Sequence, residues 1–166
     1  MTRYGELVRA QSAALHRLAE YHNLCVKFAE QFFDGMLQYF KCPEENLKFF
    51  SIEDTVKEST MVEALYLQDD GYYSINFAFI VQSPGFEDSI VLPLRFKKLS
   101  DKSILRIGRI RREFEIAEGE TPTPVYEHLF TEIRNFYDND GYIIKKTNNP
   151  IGFITRNTPS GKEIIS

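Results

Sequence analysis

Apolar and polar residues alternate through the middle of the chain, between residues 59 and 116. The alternation is clearest at 73–81 and it resumes at 90–96. A period of two residues sends alternate side chains to opposite faces of a strand, so that one face is buried. Short polar segments that suit hairpin turns separate the apolar runs at 69–71, 83–85 and 100–102. We therefore predict a four-stranded antiparallel meander over residues 59–116, with its first strand at 60–67.

The last strand of this meander changes the parity of its apolar residues at Gly108. A change of parity at a glycine predicts a β-bulge. Such a bulge would bring five basic residues of the last two strands onto one face of the sheet. These residues are Arg95, Lys97, Arg106, Arg109 and Arg111. They could be paired with the acidic segment 113–140, which we favour, or solvated, or able to bind an anionic partner through bidentate arginine contacts.

A second pattern, with apolar residues three and four positions apart, runs from residue 6 to residue 40 and predicts a helix. Its apolar stripe contains Val8, Leu15, Leu18, His22, Cys25, Ala29, Phe32, Met36 and Tyr39, and Gln11 is its one clearly polar interruption. An unbroken helix would be ~50 Å long, whereas a domain of this size is about 30–35 Å wide. The helix must therefore either break or extend beyond the domain and bury its excess against a second copy, and we favour a break near Gly35 together with a contact between two copies of the chain. The predicted dimer interface consists of Leu15, Leu18, His22, Cys25 and Phe32.

The remaining segments complete a single predicted domain over residues 1–166. Residues 44–58 show no clear period and suggest a short helix or strand. Thr123 and Pro124 begin a second amphipathic helix, which we expect at 124–138, before Gly141. A C-terminal hairpin follows at 142–155, and 157–166 form a polar tail. The fold class is thus α+β, with two layers in which helices cover one face of the sheet.

Composition and charge narrow the classes of function. The chain is 43% hydrophobic with a net charge of −4, which is typical of a soluble globular protein. Residues 89–116 contain eight basic and three acidic residues, a local charge of +5, so the rest of the chain carries −9. We find no signal peptide and no membrane span. Cys25 and Cys42 match no metal or redox motif, and we expect reduced thiols and a cytoplasmic location.

Catalytic and metal-binding motifs are missing from the sequence. His16 and His22 are six residues apart on one helix and therefore lie on different faces. The segment 138–141 resembles part of a calcium loop, but an EF-hand would also require the first ligand and the bidentate glutamate. Glu87 and Asp88 lack the lysine that a metal-dependent nuclease needs nearby. We therefore assign no catalytic residue, metal site or cofactor, and we lean against an enzyme.

The order of the predicted elements is similar to that of the small acidic dimeric chaperones of bacterial secretion systems, without their final helix. No residue motif carries this similarity, and a shared fold does not determine function, so we assign no family. Our first hypothesis is a non-enzymatic protein-interaction module, adaptor or chaperone-like, that forms a homodimer and binds a protein partner. The alternatives are binding of nucleic acid or another polyanion through the basic face, and a small-ligand or enzymatic pocket between sheet and helices.

Overall fold

The structure, a computed structural model, describes residues 2–51, 57–108 and 112–142, and the backbone alone of 154–158. It contains helices and one antiparallel sheet, which confirms the predicted α+β class. A single turn of 3-10 helix (Glu44–Asn46) precedes the first strand. The elements in chain order are α1 (Arg3–Phe40), β1 (Leu47–Phe50), β2 (Glu58–Ser59), α2 (Met61–Ala64), β3 (Tyr66–Leu67), β4 (Tyr73–Ser83), β5 (Phe86–Lys98), β6 (Lys102–Ile107), β7 (Arg112–Ala117), α3 (Thr123–Asp138) and β8 (Ile154–Thr158).

The sheet is built around the long hairpin of β4 and β5. Its strand order is β2-β1-β4-β5-β6-β7, and every pairing is antiparallel. The short strand β3 pairs with β4 beyond the end of β1, and β8 pairs with β5 beyond the end of β6. The alternation in the sequence predicts β4 and β5 well, because their even and odd residues face opposite sides of the sheet.

The ends of the predicted meander need correction. Residues 60–67, predicted as its first strand, form the short helix α2 and the two-residue strand β3. The last predicted strand is divided into β6 and β7, in which Ile107 pairs with Arg112. Gly108 therefore follows the end of β6 and begins a connection between two strands, and no bulge lies there. Its φ of +79° explains the glycine, because other residues rarely adopt positive φ.

Helix α1 is a single helix of 38 residues, about 57 Å long at 1.5 Å per residue. Thr2 Oγ1 accepts a hydrogen bond from Gly5 N at 3.0 Å at its start, and Lys41 ends it in the left-handed conformation. The predicted break near Gly35 is wrong. Gly35 lies against Tyr126 of α3, and a Cβ at position 35 would come within 2.5 Å of Tyr126 Oη. The glycine therefore allows two helices to approach closely.

The core lies between the sheet and one side of the two long helices. The second half of α1 and the buried side of α3 cover the face of the sheet that carries the apolar residues of β4, β5 and β6. The largest fully buried side chains here are Phe32, Met36, Ile75, Phe77, Ile90, Leu92, Leu94, Phe96, Leu105, Ile107, Tyr126 and Leu129. Burial of one such aliphatic or phenylalanine side chain stabilises the fold by about 1.5–3 kcal/mol.

The C-terminal predictions lie mostly outside the described residues. Helix α3 occupies Thr123–Asp138, in agreement with the predicted 124–138. Of the predicted hairpin at 142–155 and the polar tail at 157–166, the structure describes Tyr142 and the strand β8, which pairs with β5.

Candidate interaction surface on helix α1

The first half of α1 extends beyond the sheet. Every side chain from residue 6 to residue 20 is exposed, and Cys25 is the first buried residue along the helix. We call residues 3–20 the overhang, which is about 27 Å long. The helix meets the sheet at Tyr21 and His22, which are half-buried. Tyr21 Oη donates a hydrogen bond to the carbonyl oxygen of Gly71 at 2.8 Å, and His22 Nδ1 lies 2.7 Å from Tyr73 Oη.

The apolar stripe that contacts the sheet in the second half of α1 continues along the overhang in the same direction. Tyr4 is 75% exposed, Leu7 68% and Leu15 58%. On the overhang we extend the predicted stripe of Val8, Gln11, Leu15 and Leu18 by the adjacent exposed residues Tyr4, Leu7 and Ala14, and we call all seven the stripe from here on. Successive residues along the middle of the stripe are three or four positions apart. In coiled coils this spacing places side chains against another helix.

The charged residues of the overhang lie outside this stripe. They are Arg3, Glu6, Arg9, His16, Arg17 and Glu20. His16 Nε2 and Glu20 Oε1 are 3.2 Å apart on the exposed side of the helix. The stripe is therefore an uncharged surface whose single polar side chain, Gln11, lies near its middle. Contiguous exposed apolar surface of this kind marks interaction sites on proteins.

Packing energetics also favour a partner for the overhang. Helices in proteins gain most of their stability from packing of an apolar face, and intrinsic propensity contributes less. The second half of α1 receives that packing from the sheet. No described part of the chain provides it for the large apolar side chains of the overhang.

The structure places the five residues of the predicted dimer interface in three different surroundings. Leu15 and Leu18 lie on the overhang and are exposed. Cys25 and Phe32 are 0% and 1% exposed and contact the protein's own core, and His22 lies at the boundary beside Tyr73. Burial raises the pKa of the Cys25 thiol, which disfavours the reactive thiolate. The surface that a partner can reach is thus narrowed to Leu15, Leu18 and their neighbours on the stripe.

The basic face is organised around a buried tyrosine that the sequence analysis missed. The ring of Tyr72 lies 4.8 Å from Arg106 Cζ, 5.2 Å from Arg95 Cζ and 5.8 Å from Lys97 Nζ. Cation–π contacts at these distances are favourable. Tyr72 lies two residues before Ser74, which pairs with Arg95, so that alternation along the strand places Tyr72 and Arg95 on the same face. This relation in the sequence could have indicated that Tyr72 belongs to the basic face. Arg109 and Arg111, the other two residues of the predicted face, lie outside the described residues.

Both described arginines of the basic face also contact carboxylates. Arg95 Nη2 is 2.5 Å from Asp70 Oδ2, and Arg106 Nη2 is 3.4 Å from Glu113 Oε1. A hydrogen bond from the Tyr72 backbone N–H, together with Arg95, lowers the pKa of Asp70. Within the described residues, much of the positive charge of this face is therefore neutralised by the protein itself.

A groove of about 740 Å³ lies between the second half of α1 and the first two strands. Its lining includes the apolar side chains of Phe33, Leu37, Leu47, Phe49 and Met61 and the acidic side chains of Glu30, Asp34, Glu44, Glu45 and Glu58. The described lining has no histidine or cysteine. The groove lies between a helix and the edge of the sheet, which is the general location expected for the alternative of a small-ligand pocket.

In the part of the chain that the structure describes, none of the three histidines is hydrogen-bonded to a serine, threonine or cysteine side chain. His128 Nδ1 is 3.2 Å from Arg112 Nη1 at the exposed start of β7. Burial and the nearby Arg112 lower the pKa of His128. His22 contacts a tyrosine hydroxyl and His16 a carboxylate, as described above. This arrangement offers no described Ser–His or Cys–His pair for covalent catalysis.

The buried carboxylate of Asp88 forms the centre of a polar cluster that connects the end of α3 to β5. Its carboxylate accepts hydrogen bonds from Tyr137 Oη, at 2.8 Å, and from Tyr142 Oη. Burial and the carboxylate raise the pKa of Tyr142 to about 12, and the same two causes raise that of Tyr137 further. Both hydroxyls thus stay protonated as donors near neutral pH. The cluster has a structural explanation, since it holds the segment after α3 against the sheet.

Over the part of the chain that the structure describes, no three potential metal-ligating side chains come together. In the same part, no helix combines the length and the hydropathy that a bilayer span requires. Comparison with protein-family models, curated proteins and solved structures finds no match for this chain.

Proposed function

We propose that this protein is a non-enzymatic protein-interaction module, adaptor or chaperone-like, that forms a homodimer through the overhang of α1. One observation carries the proposal: an uncharged apolar stripe, with Leu7 and Leu15 more than half exposed, continues about five helical turns beyond the sheet. A homodimer is the simplest way to cover it, because two-fold symmetric pairing of identical surfaces is the commonest form of oligomer.

The two alternative functions have weaker support in the described residues. Binding of a polyanion requires cations that are free to meet phosphates, and Arg95 and Arg106 already contact Asp70 and Glu113. An enzyme requires an activated nucleophile or an acid–base pair in a pocket, and the described lining of the groove beside α1 combines apolar and acidic side chains with Lys48 and Thr60 and contains no histidine or cysteine. A cytoplasmic location agrees with the two free thiols, Cys25 and Cys42.

Size-exclusion chromatography with light scattering, at low and at high salt, tests the proposal. We expect a mass of twice 19.3 kDa that persists at high salt, because salt screens charges but leaves apolar burial intact. Absorbance at 260 nm should show no bound nucleic acid. A mass of 19.3 kDa at every concentration would contradict the homodimer. Nucleic acid that elutes with the protein and is removed by salt would favour the polyanion alternative.

A further inference from the structure

The position of the sheet restricts how a second helix can lie along the overhang. Residues of the stripe beyond His22, such as Cys25, Ala29 and Phe32, are covered by the chain's own sheet. In a parallel pair, residues 21–40 of the partner helix would lie beside residues 21–40 of the first, in the space that the sheet occupies. In an antiparallel pair, only the two overhangs lie side by side, and the two sheets lie at opposite ends.

We propose that two copies of the chain pair through their overhangs in antiparallel orientation, with the two-fold axis close to Gln11. This inference rests on the proposed function and specifies its partner and geometry. Gln11 lies midway along residues 3–20, so a pair centred there uses the whole overhang. The first turn of each helix then reaches the point near Tyr21 where the other helix meets its sheet.

The sequence around Gln11 is self-complementary in this arrangement. Residues at equal distances before and after Gln11 face each other across the axis. Leu7 and Leu15 are each four residues from it, and Tyr4 and Leu18 are each seven residues from it. Large apolar side chains therefore oppose one another near both ends, which is what an isologous interface requires.

The amide of Gln11 also has a partner in this arrangement. A buried side-chain amide needs hydrogen bonds to compensate for the loss of water. Close to a two-fold axis the two Gln11 amides lie near each other, where each can donate to the oxygen of the other. A single polar residue in an otherwise apolar helix interface is a known means of fixing the register and number of helices. Gln11 would serve that purpose here.

Cross-linking with single introduced thiols tests the orientation. Tyr4→Cys and Leu18→Cys are made separately in a Cys42→Ser background, which leaves only the fully buried Cys25 as a native thiol. A bismaleimide of about 10 Å is added to each variant and to their refolded mixture. In an antiparallel pair, the two thiols at position 4 are about 20 Å apart along the axis, whereas position 4 of one copy lies close to position 18 of the other. We expect a band of twice 19.3 kDa from the mixture and from neither variant alone.

The outcomes separate this inference from the proposed function. Light scattering before the reaction shows whether each variant is a dimer, and Ala19→Cys replaces Leu18→Cys if the latter dissociates. Dimers that cross-link in the single variants, but not between position 4 of one copy and position 18 of the other, would overturn the antiparallel orientation and leave the homodimer intact. A wild-type chain that stays monomeric would overturn the homodimer itself. Cross-linking of the mixture alone supports both.

Discussion

The Leu15→Glu variant should elute as a monomer of 19.3 kDa under conditions in which the wild-type chain is a dimer. Leu15 is 58% exposed in one chain, so the fold of the monomer should keep its stability within about 0.5 kcal/mol. In the dimer each glutamate forfeits about 1.5–3 kcal/mol of apolar burial and also desolvates a carboxylate. Because the interface contains the residue twice, we expect the dissociation constant to rise at least ~100-fold.

Ala13→Glu is the matched control for this variant. Ala13 is exposed on the same two turns of α1, but on the side of the helix away from the stripe. The substitution introduces the same charge into the same overhang, so this variant should remain a dimer. If both variants dissociate, net charge explains the effect and the stripe is not the interface. If neither dissociates, Leu15 lies outside the interface.

Gly35→Ala should lower the free energy of unfolding by about 1–3 kcal/mol, the usual cost of adding a methyl group to a packed site. At an ordinary helical position the same change would raise it by ~1 kcal/mol, because alanine has the higher helix propensity. Here the new Cβ would lie 2.5 Å from Tyr126 Oη, which donates a hydrogen bond to the carbonyl oxygen of Phe32 at 2.6 Å. Chemical denaturation measures the difference.

A double-mutant cycle with Tyr126→Phe isolates this contact. Without the hydroxyl, the remaining contact of the new Cβ is with ring carbons at 3.3 Å and beyond, so Gly35→Ala should cost at least ~1 kcal/mol less in the Tyr126→Phe background. If Gly35→Ala lowers the free energy of unfolding equally in both backgrounds, the contact with the Tyr126 hydroxyl is not the cause of the loss.

The main elements of the fold follow from local patterns, and the corrections come from contacts between distant residues. Strands β4 and β5 and helix α3 are predictable because alternation and helix-start residues are local signals. A glycine in a helix can mark a break or a close approach to another element. At Gly35 it marks a close approach to Tyr126, whose hydroxyl donates a hydrogen bond to the carbonyl oxygen of Phe32, 94 residues earlier in the chain. Residues 44–58 suggested only a short helix or strand, because β1 and β2 span at most four residues each, too few to establish a period.

The stripe on α1 could be predicted from the sequence, but which part of the stripe stays exposed in the folded chain could not. The three-and-four spacing is the same around Leu15 and Leu18 as around Cys25 and Phe32. What separates them is where the sheet ends, and that depends on how β4 and β5 lie across the helix. The one local hint is side-chain size, since the phenylalanines of α1 all occur in the half that covers the sheet.

Hydrogen exchange of the backbone amides in α1 tests the central claim most directly, through a comparison of the wild-type chain with Leu15→Glu. We expect amides of residues 7–20 to be protected in the wild-type dimer and to lose that protection in the variant, because an unpacked helical segment opens readily. Amides of residues 25–40, which the sheet covers, should keep theirs in both. Equal exchange of residues 7–20 in the two proteins would contradict the account, because the overhang would then gain nothing from a second copy.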